Sequence, residues 1–585
     1  MRKGFFGRLL AGVLVSSLLL PLWPSLALAT PPHTQAQNVL VEGVVGDITK
    51  LNPLLATYNP VDRDITALIF EGLTTTNQYG EIVPCLAESW TVTDDGLQYF
   101  VMLRQDILWQ DGIPFSSEDV VFTVQIMSSP SFPGADWLYQ FWHTVEAEAL
   151  GEHLVRFRLT QPLASFPDQL RIGMVPAHVL QGYPIDQLAQ HPFNLSPIGT
   201  GPYQIEQLTA TDGQIDGIQL RMAPVYRQRP EGADGFQLER IVFRTYPTVE
   251  LALDAYLRGE VHSIASLPPD LLPVVQQFPN LSLYTAVAPH VGVLIYNWNR
   301  SSTQYVRNPR VRLALAHAIN TPEIVARNLP GVALYADSPI LPGSWAYQPD
   351  IDWPTYDPAQ AAAMMATANI SFEVAEEAPP PEPVEGEEPE ATPAEGDAEE
   401  TPVDAAPDAA PESAPEATSD HLAMSIMVID NPQLVSLAND IAASWQPLGF
   451  VMSVDAVDAA TFMARLDGGD FDAAIVEFSF EPGADPDPYV FWHQGQRESG
   501  QNYGAMNDRR ISESLENARR DPVGINRVTH YRDFQELFAE RAVALPLYYP
   551  LYLYAVDARV AGVQLGFLST PSDRFRTIKD WRFVE

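Results

Sequence analysis

One stretch of this 585-residue chain cannot build a core of its own, and it divides everything else in two. Between Glu373 and Asp420 stand 17 acidic residues and ten prolines, no lysine or arginine, and almost no large apolar side chain. Such a segment buries too little apolar surface to offset the entropy of ordering it, and its charges repel. It reads as a disordered, extended loop that serves as a solvating spacer. Its carboxylates lack the Asp-x-Asp-x-Asp-Gly pattern that wraps a calcium ion. The flanking sequence marks it as an insertion within a fold. "DPAQAAAMMATANI" (Asp357 to Ile370) predicts a helix with Asp357 as cap and Pro358 at its first position. "HLAMSIMVID" (His421 to Asp430) alternates as a strand does. A surface junction of this kind accepts a long insertion readily, because closure entropy grows slowly with loop length.

The amino-terminal residues 1–29 have the form of a secretion signal. Arg2, Lys3 and Arg8 precede an apolar run, Leu9 to Ala29, that ends in Ala27-Leu28-Ala29, an A-x-A pattern expected to be cleaved before Thr30. The alternative is an uncleaved anchor, since the run is about long enough to span a bilayer. Either reading places the bulk of the chain outside the cytoplasm, in the periplasm or at the cell surface. Cys85 is the single cysteine. It excludes an intrachain disulfide, and no cysteine follows the signal to carry a lipid anchor. Stability must therefore come from a large core, in which Cys85 is expected to be a small buried residue. Removing 29 residues from 585 leaves 556, enough for two or more lobes. With 74 acidic against 34 basic residues, nucleic acid is excluded as a partner.

The remaining chain is mixed helix and strand. "LQYFVML" (97–103) and "HLVRFRL" (153–159) alternate like half-buried strands. "SSEDVVFTVQIMSS" predicts a helix capped by Ser116 or Ser117, and "NPRVRLALAHAIN" (308–320) an amphipathic helix opened by an Asn cap and a proline. "QLVSLANDIAASWQPLGFVMSVDAV" predicts a helix, a Pro-Leu-Gly stop at 447–449, and a strand.

Catalytic signatures are missing. There is no G-x-S-x-G elbow, no phosphate-binding G-x-x-x-x-G-K-[ST] and no H-E-x-x-H. The eleven histidines have no zinc-ligand spacing, and His317 reads as a structural residue on its helix. Asp62-Asp64 and Asp94-Asp95 fall where carboxylates cap backbone amides. No catalytic residue, metal or cofactor is expected. Aromatics do cluster in turn-rich sequence, among them Tyr58, Trp137, Tyr296, Trp298, Tyr489 and Trp492, where some can line a pocket for an organic ligand.

Several segments in fixed order resemble the family 5 extracytoplasmic solute-binding proteins of ABC importers, the dipeptide-, oligopeptide- and nickel-binding group. These are "LNPLLATYNPVDRDITALIFEGLTTTNQYGEIVPCLAESWTVTDDGLQYFVMLRQDILWQDGIPFSSEDVVFT" (51–123), "PIGTGPYQI" (197–205), "NPRVRLALAHAIN", "LGFVMSV", "DPDPYVFWH", "GQNYGAMND" and "VALPLYYP" (543–550). The resemblance implies an α/β, two-lobed periplasmic-binding-protein type II fold with an extra subdomain in the first lobe. Lobe I would comprise 38–288 with 547–585 returning to it, and its subdomain would lie near 76–189. Lobe II would span 289–546, interrupted by 373–420. Two crossings, near 287–291 and 544–547, would act as a hinge that closes the lobes on ligand.

The implied function is capture of peptides, or a related organic solute, by a monomer that delivers them to the permease subunits of an ABC importer. Oligosaccharides and metal chelates are alternatives for the same cleft; a secreted hydrolase is the alternative of a different class, and a surface adhesion or scaffold protein is suggested by the acidic loop alone. Gly199 and Gly201 would allow tight backbone and positive φ where the chain re-enters the first lobe. The strand "VGVLIYNWN" (291–299) ends in Tyr296, Asn297 and Trp298, the usual place for binding groups in such lobes. In peptide-binding relatives a carboxylate matching Phe478 to Asp487 pairs with the ligand's amino terminus. Asp485 matches by position, with Glu481 and Glu477 as fallbacks. Tyr58, Phe478, Tyr489 and Trp492 complete the expected ligand-binding set, while Asp487-Pro488 shapes the loop.

Overall fold

A computed structural model of the chain describes residues 38–368 and 422–584. The expected signal segment (1–29) and acidic insertion (373–420) lie outside the described residues. The described residues end at Ala368 and resume at Leu422, and both sides are tied to one short segment. Asn308 Nδ2 donates to Ala368 O at 2.8 Å, and Tyr305 OH to Ala423 O at 2.7 Å.

Twelve strands form one mixed sheet whose middle strand, Leu545–Asp557, belongs to both lobes. Its first half pairs antiparallel with His290–Tyr296, with Leu294 opposite Leu545 and Gly292 opposite Tyr548. Its second half pairs with Leu281–Val287, with Val287 opposite Leu551, and with Ser263–Ile264. On that side the first lobe continues through Val39–Val45, Arg240–Tyr246, Gln214–Met222 and Tyr203–Thr211. On the other side the second lobe continues through Ala473–Ser479, Leu422–Ile429 and Phe450–Val457. The chain therefore crosses between lobes between Val287 and His290, and again within Tyr548–Leu551. The two crossings are tied by Ala288 N donating to Pro550 O at 2.8 Å. At Ala544–Leu547, where the second crossing was expected, Leu545 still faces the second lobe. The strand simply runs on and changes partners four residues later.

A separate four-stranded antiparallel sheet, Ala87–Val92, Gln98–Leu103, Leu154–Leu159 and Val145–Gly151, forms the subdomain with helices Ser117–Met127 and Asp136–Trp142. Its buried Val101, Phe157 and Trp142 belong to the same core as Leu40, Ile241 and Trp581 of the first lobe. In the second lobe two cores sandwich the sheet. Leu315, Ile441 and Trp445 cover one face; Phe462, Phe491 and Phe538 cover the other.

Local chemistry sets the helix starts. Ser116 caps Ser117–Met127 in a reciprocal box with Asp119. Asp357 caps Pro358–Ala366, and Asn308 caps Pro309–His317. Gly449 ends the 446–448 turn in the left-handed conformation. Gly199 and Gly201 work differently from expectation, since neither has a positive φ. A Cβ on Gly199 would lie 1.9 Å from Ile69 O, so close backbone approach is what requires glycine there. Cys85 is only half-buried, with its sulfur 3.9 Å from Glu71 Oε1.

Candidate ligand cleft

The cleft is built from the helix Pro60–Ile69, which Asn59 starts by accepting from the Val61 and Asp62 amides. Three successive residues then take three directions. Asp62 turns back to hold the Thr49–Lys50 turn, accepting from Thr49 N and Lys50 N, both at 2.8 Å. Asp64 points into the first lobe and meets Arg574 at 2.6 Å, beside Glu42, which meets Arg574 at 2.5 Å. Asp62 is thus an amide cap as expected, whereas Asp64 is one of two acids paired with Arg574 in a buried charge cluster. In that cluster burial pushes the Glu42 carboxyl up, against the pull of Arg574. Arg63, between the two acids, faces the space between the lobes.

That space is a cavity of ≈ 460 Å³, within the range of small-molecule sites. The first lobe and its subdomain supply most of the wall, including Pro53, Tyr58, Phe70, Trp137 and Ile172. The second lobe supplies the turn Glu481–Gly483, whose Glu481–Pro482 peptide is cis. The turn is fastened to the subdomain's edge. Ala484 N donates to Asp168 Oδ1 at 3.1 Å, Arg171 donates to Pro482 O, and Arg171 is itself held by Asp168 at 2.6 Å and Ser569 Oγ at 3.0 Å. Asp168 and Arg171 are thereby committed to holding the wall.

Arg63 and Glu481 form the other charged pair, Nη1 to Oε2 at 2.8 Å, bridging the lobes while partly open to the cavity. His290, at the first crossing, approaches the second Glu481 oxygen at 3.6 Å. Burial acts to raise the Glu481 carboxyl, but His290 and Arg63 together outweigh it and hold it below the usual range. Arg63 Nε is buried and, among the described residues, has no hydrogen-bond partner.

The structure brings few of the expected site residues here. Tyr58, 77% exposed, and Glu481 line the cavity. Asp485 does not: it is buried in a two-bonded pair with Arg527, 2.8 Å on each arm. Tyr296, Asn297 and Trp298 lie at the wrong end of their strand. That strand leaves the crossing at His290 and runs antiparallel to Ala473–Ser479. Its carboxyl end therefore sits about 20 Å from the cleft at roughly 3.4 Å per residue. Tyr296 packs on Trp445, Asn297 Nδ2 donates to Gly469 O and Phe471 O, and the Trp298 ring lies under Arg312. Phe478 and Trp492 are core residues packed on each other and on Phe491 and Phe538. Tyr489 lines a second crevice between subdomain and second lobe, stacked under Arg519 at 3.7 Å, which also pairs with Asp487 at 2.5 Å. Glu477 is exposed and accepts from Tyr548 OH at 2.7 Å.

Sequence reasoning missed Arg63, Asp168 and Arg171. None of the three carries a local signal: Arg63 stands between Asp62 and Asp64, and Asp168 and Arg171 read as ordinary surface charges. Among the described residues no three His, Cys, Asp or Glu side chains gather as a metal site, and no helix is long and apolar enough to cross a membrane.

Residues 81–501 match the model for bacterial extracellular solute-binding proteins, family 5 Middle. The dipeptide-binding protein of Escherichia coli (strain K12) is 23% identical over 82% of this chain and 83% of its own length. The oligopeptide-binding protein AppA of Bacillus subtilis (strain 168) is 27% identical over 56% of this chain; the match spans 59% of that relative's length. Among solved structures, HbpA2 from Haemophilus parasuis superposes with a TM-score of 0.74 at 19% identity, covering 94% of this chain and 100% of that one. NikZ from Campylobacter jejuni in complex with Ni(L-His) gives 0.64 at 22%, covering 93% and 99%. Both share the two-lobed type II periplasmic-binding fold.

Proposed function

The chain belongs to the bacterial extracellular solute-binding proteins of family 5, and we propose that it captures peptides in the cleft between its lobes and delivers them to the permease subunits of an ABC importer. The observation that carries this reading is the Arg63–Glu481 pair. It is a cation and an anion from opposite lobes, partly open to a cavity of ≈ 460 Å³. A ligand held there touches both lobes at once and favours the arrangement in which they approach. Glu481 takes the role first given to Asp485, accepting the ligand's ammonium group. The lobes are residues 38–287 with the return after Tyr548, and 290–548, with the subdomain near 76–189. The protein acts as a monomer outside the cytoplasmic membrane, without turnover of its ligand.

The test is calorimetry and thermal-shift screening of the purified chain against di- to nonapeptide and oligosaccharide libraries. Peptides should bind one to one and raise the melting temperature. Glu481→Gln should weaken binding about tenfold or more, the worth of a charge-assisted hydrogen bond, while the protein still melts cooperatively. Silence across the peptide library overturns the reading. Binding of sugars alone would move the assignment to oligosaccharides, and sustained product formation from a peptide would make the protein an enzyme.

A further inference from the structure

We infer that Phe567 is a positioning residue for the cleft: its ring reaches from the first lobe into the core of the second beside the hinge, and it sets how far the lobes stand open without lining the ligand cavity. This goes beyond the proposed function, because the contact acts whatever solute the cleft takes.

Two successive residues of the carboxyl-terminal return pack into different lobes. Leu568 is buried in the core of the first lobe, which also holds Leu73 and Phe575. Phe567, half-buried, packs against the core of the second, which holds Leu341 and Val476. Its backbone nonetheless belongs to the first lobe. Phe567 N donates to Gln78 O at 3.0 Å, and Arg576 Nη1 donates to Phe567 O at 2.7 Å. Glycines from the two lobes flank the ring. A Cβ on Gly80 of the first lobe would come within 2.6 Å of Cδ1, and one on Gly343 of the second within 3.7 Å of Cδ2. The receiving loop is fixed as well, since Tyr549 OH on the shared strand donates to Ser338 O at 2.8 Å and Ile340 O at 3.1 Å. Tyr79, Val287, Leu341 and Pro342 complete a small, mainly apolar crevice of ≈ 180 Å³ beside the ring.

Direction and chemistry decide what this contact does. After Phe567 the chain runs on to the ligand cavity: Ser569 Oγ accepts from Arg171, and Thr570 and Ser572 line the cavity wall. The strap therefore leads from the hinge at Val287 to the cavity, and lobes that part over the cavity must draw the ring from its slot. Arg63 with Glu481, Ala484 N with Asp168, Arg171 with Pro482 O, and Ala164 N with Arg519 O also cross the seam, but these contacts are polar. Water replaces such bonds when the lobes part, so the net hold of each is small. Water does not compensate lost apolar burial, and the ring outweighs any one of them in favouring the closed arrangement. A ligand's apparent affinity scales with the fraction of protein in the arrangement that binds it, so Phe567 reaches the ligand through the lobes alone.

The experiment is small-angle X-ray scattering of the dialysed full chain, with no peptide added, on wild type, Phe567→Leu, Phe567→Ala and Phe567→Glu. Losing a half-buried ring should shift the closed-to-open ratio about tenfold in Phe567→Ala. The shift should be smaller in Phe567→Leu and larger in Phe567→Glu, which would put a charge into an apolar slot. The radius of gyration should rise in that order, by about 1 Å on roughly 25 Å when the lobes are fully parted. Cooperative melting followed by circular dichroism separates opening of the lobes from unfolding, and Phe567→Leu gives the reading should the harsher two variants fail to fold. A merely structural Phe567 would lower the melting temperature and leave the radius unchanged. A radius equal to that of wild type in every folded variant overturns the inference. Because no peptide is added, that result stands apart from the peptide screen, whose silence would overturn the proposed function alone.

Discussion

Replacing Asp485 with alanine separates a structural acid from a ligand-binding one. Asp485 and Arg527 have side chains only 7% and 8% exposed and share two bonds of 2.8 Å. Removing the acid leaves a buried guanidinium without its anion, a loss of about 3–5 kcal/mol in comparable buried pairs. The lower end applies, because Arg527 keeps the Ala518 carbonyl at 2.8 Å and the Trp345 ring at 4.9 Å. Taking the second lobe as a unit of roughly 200 residues, about 3 kcal/mol corresponds to a fall of about 6–12 °C in its melting temperature. Differential scanning calorimetry reads that fall, and peptide titration of the same sample reads the affinity, which should stay within about twofold of wild type. The pair Asp485→Leu with Arg527→Met should recover most of the loss, since a buried ion pair exchanges with apolar residues at little cost. Normal melting with lost affinity in Asp485→Ala would refute the reasoning and return the acid to the ligand.

Other expectations follow from geometry already described. Replacing residues 373–420 by a short Gly-Ser linker should leave melting within about 2 °C and binding unchanged, because the ends at Ala368 and Ala423 are fixed to the same 305–308 segment. Gly199→Ala should destabilise by about 1–3 kcal/mol in chemical denaturation, since its Cβ meets the Ile69 carbonyl at 1.9 Å. The Glu481 carboxyl has its folded pKa held below its ordinary value of 4.5, so its contribution to stability is complete above that pH. The stability difference between wild type and Glu481→Gln should therefore shrink as pH falls below about 4.5; a difference undiminished in strong acid would contradict the pairing.

The sequence disclosed elements better than it disclosed the site. Caps such as Ser116, Asn308 and Asp357 sit beside the helices they start, and the alternation of 422–429 or 154–159 is written in successive residues. The cleft depends on direction and on distant partners. Residues 296–298 looked like a binding end because strand ends in parallel sheets often are, but their strand runs away from the crossing. Asp485 and Glu481 are both acids in one polar turn. What separates them is that Arg527 stands behind one and Arg63 faces the other, 42 and 418 positions away in the chain. Neither relation has a local signature. Arg63 sits between two acids on a short helix and reads there as one more surface charge, until the fold turns Asp62 and Asp64 inward.

The strand shared by both lobes also bears on when this protein can fold. Leu545–Asp557 lies in the middle of the twelve-stranded sheet, yet every other strand of that sheet precedes it in the chain. Until it is synthesised, His290–Tyr296 on one side and Ser263–Ile264 on the other are unpaired edges, and neither half-sheet is closed. The four-stranded sheet shares its core with the first lobe, and both lobes need the last strand to complete the large sheet. That order leaves both lobes incomplete until the last strand is present. It also makes truncation before Leu545 a loss of both lobes at once.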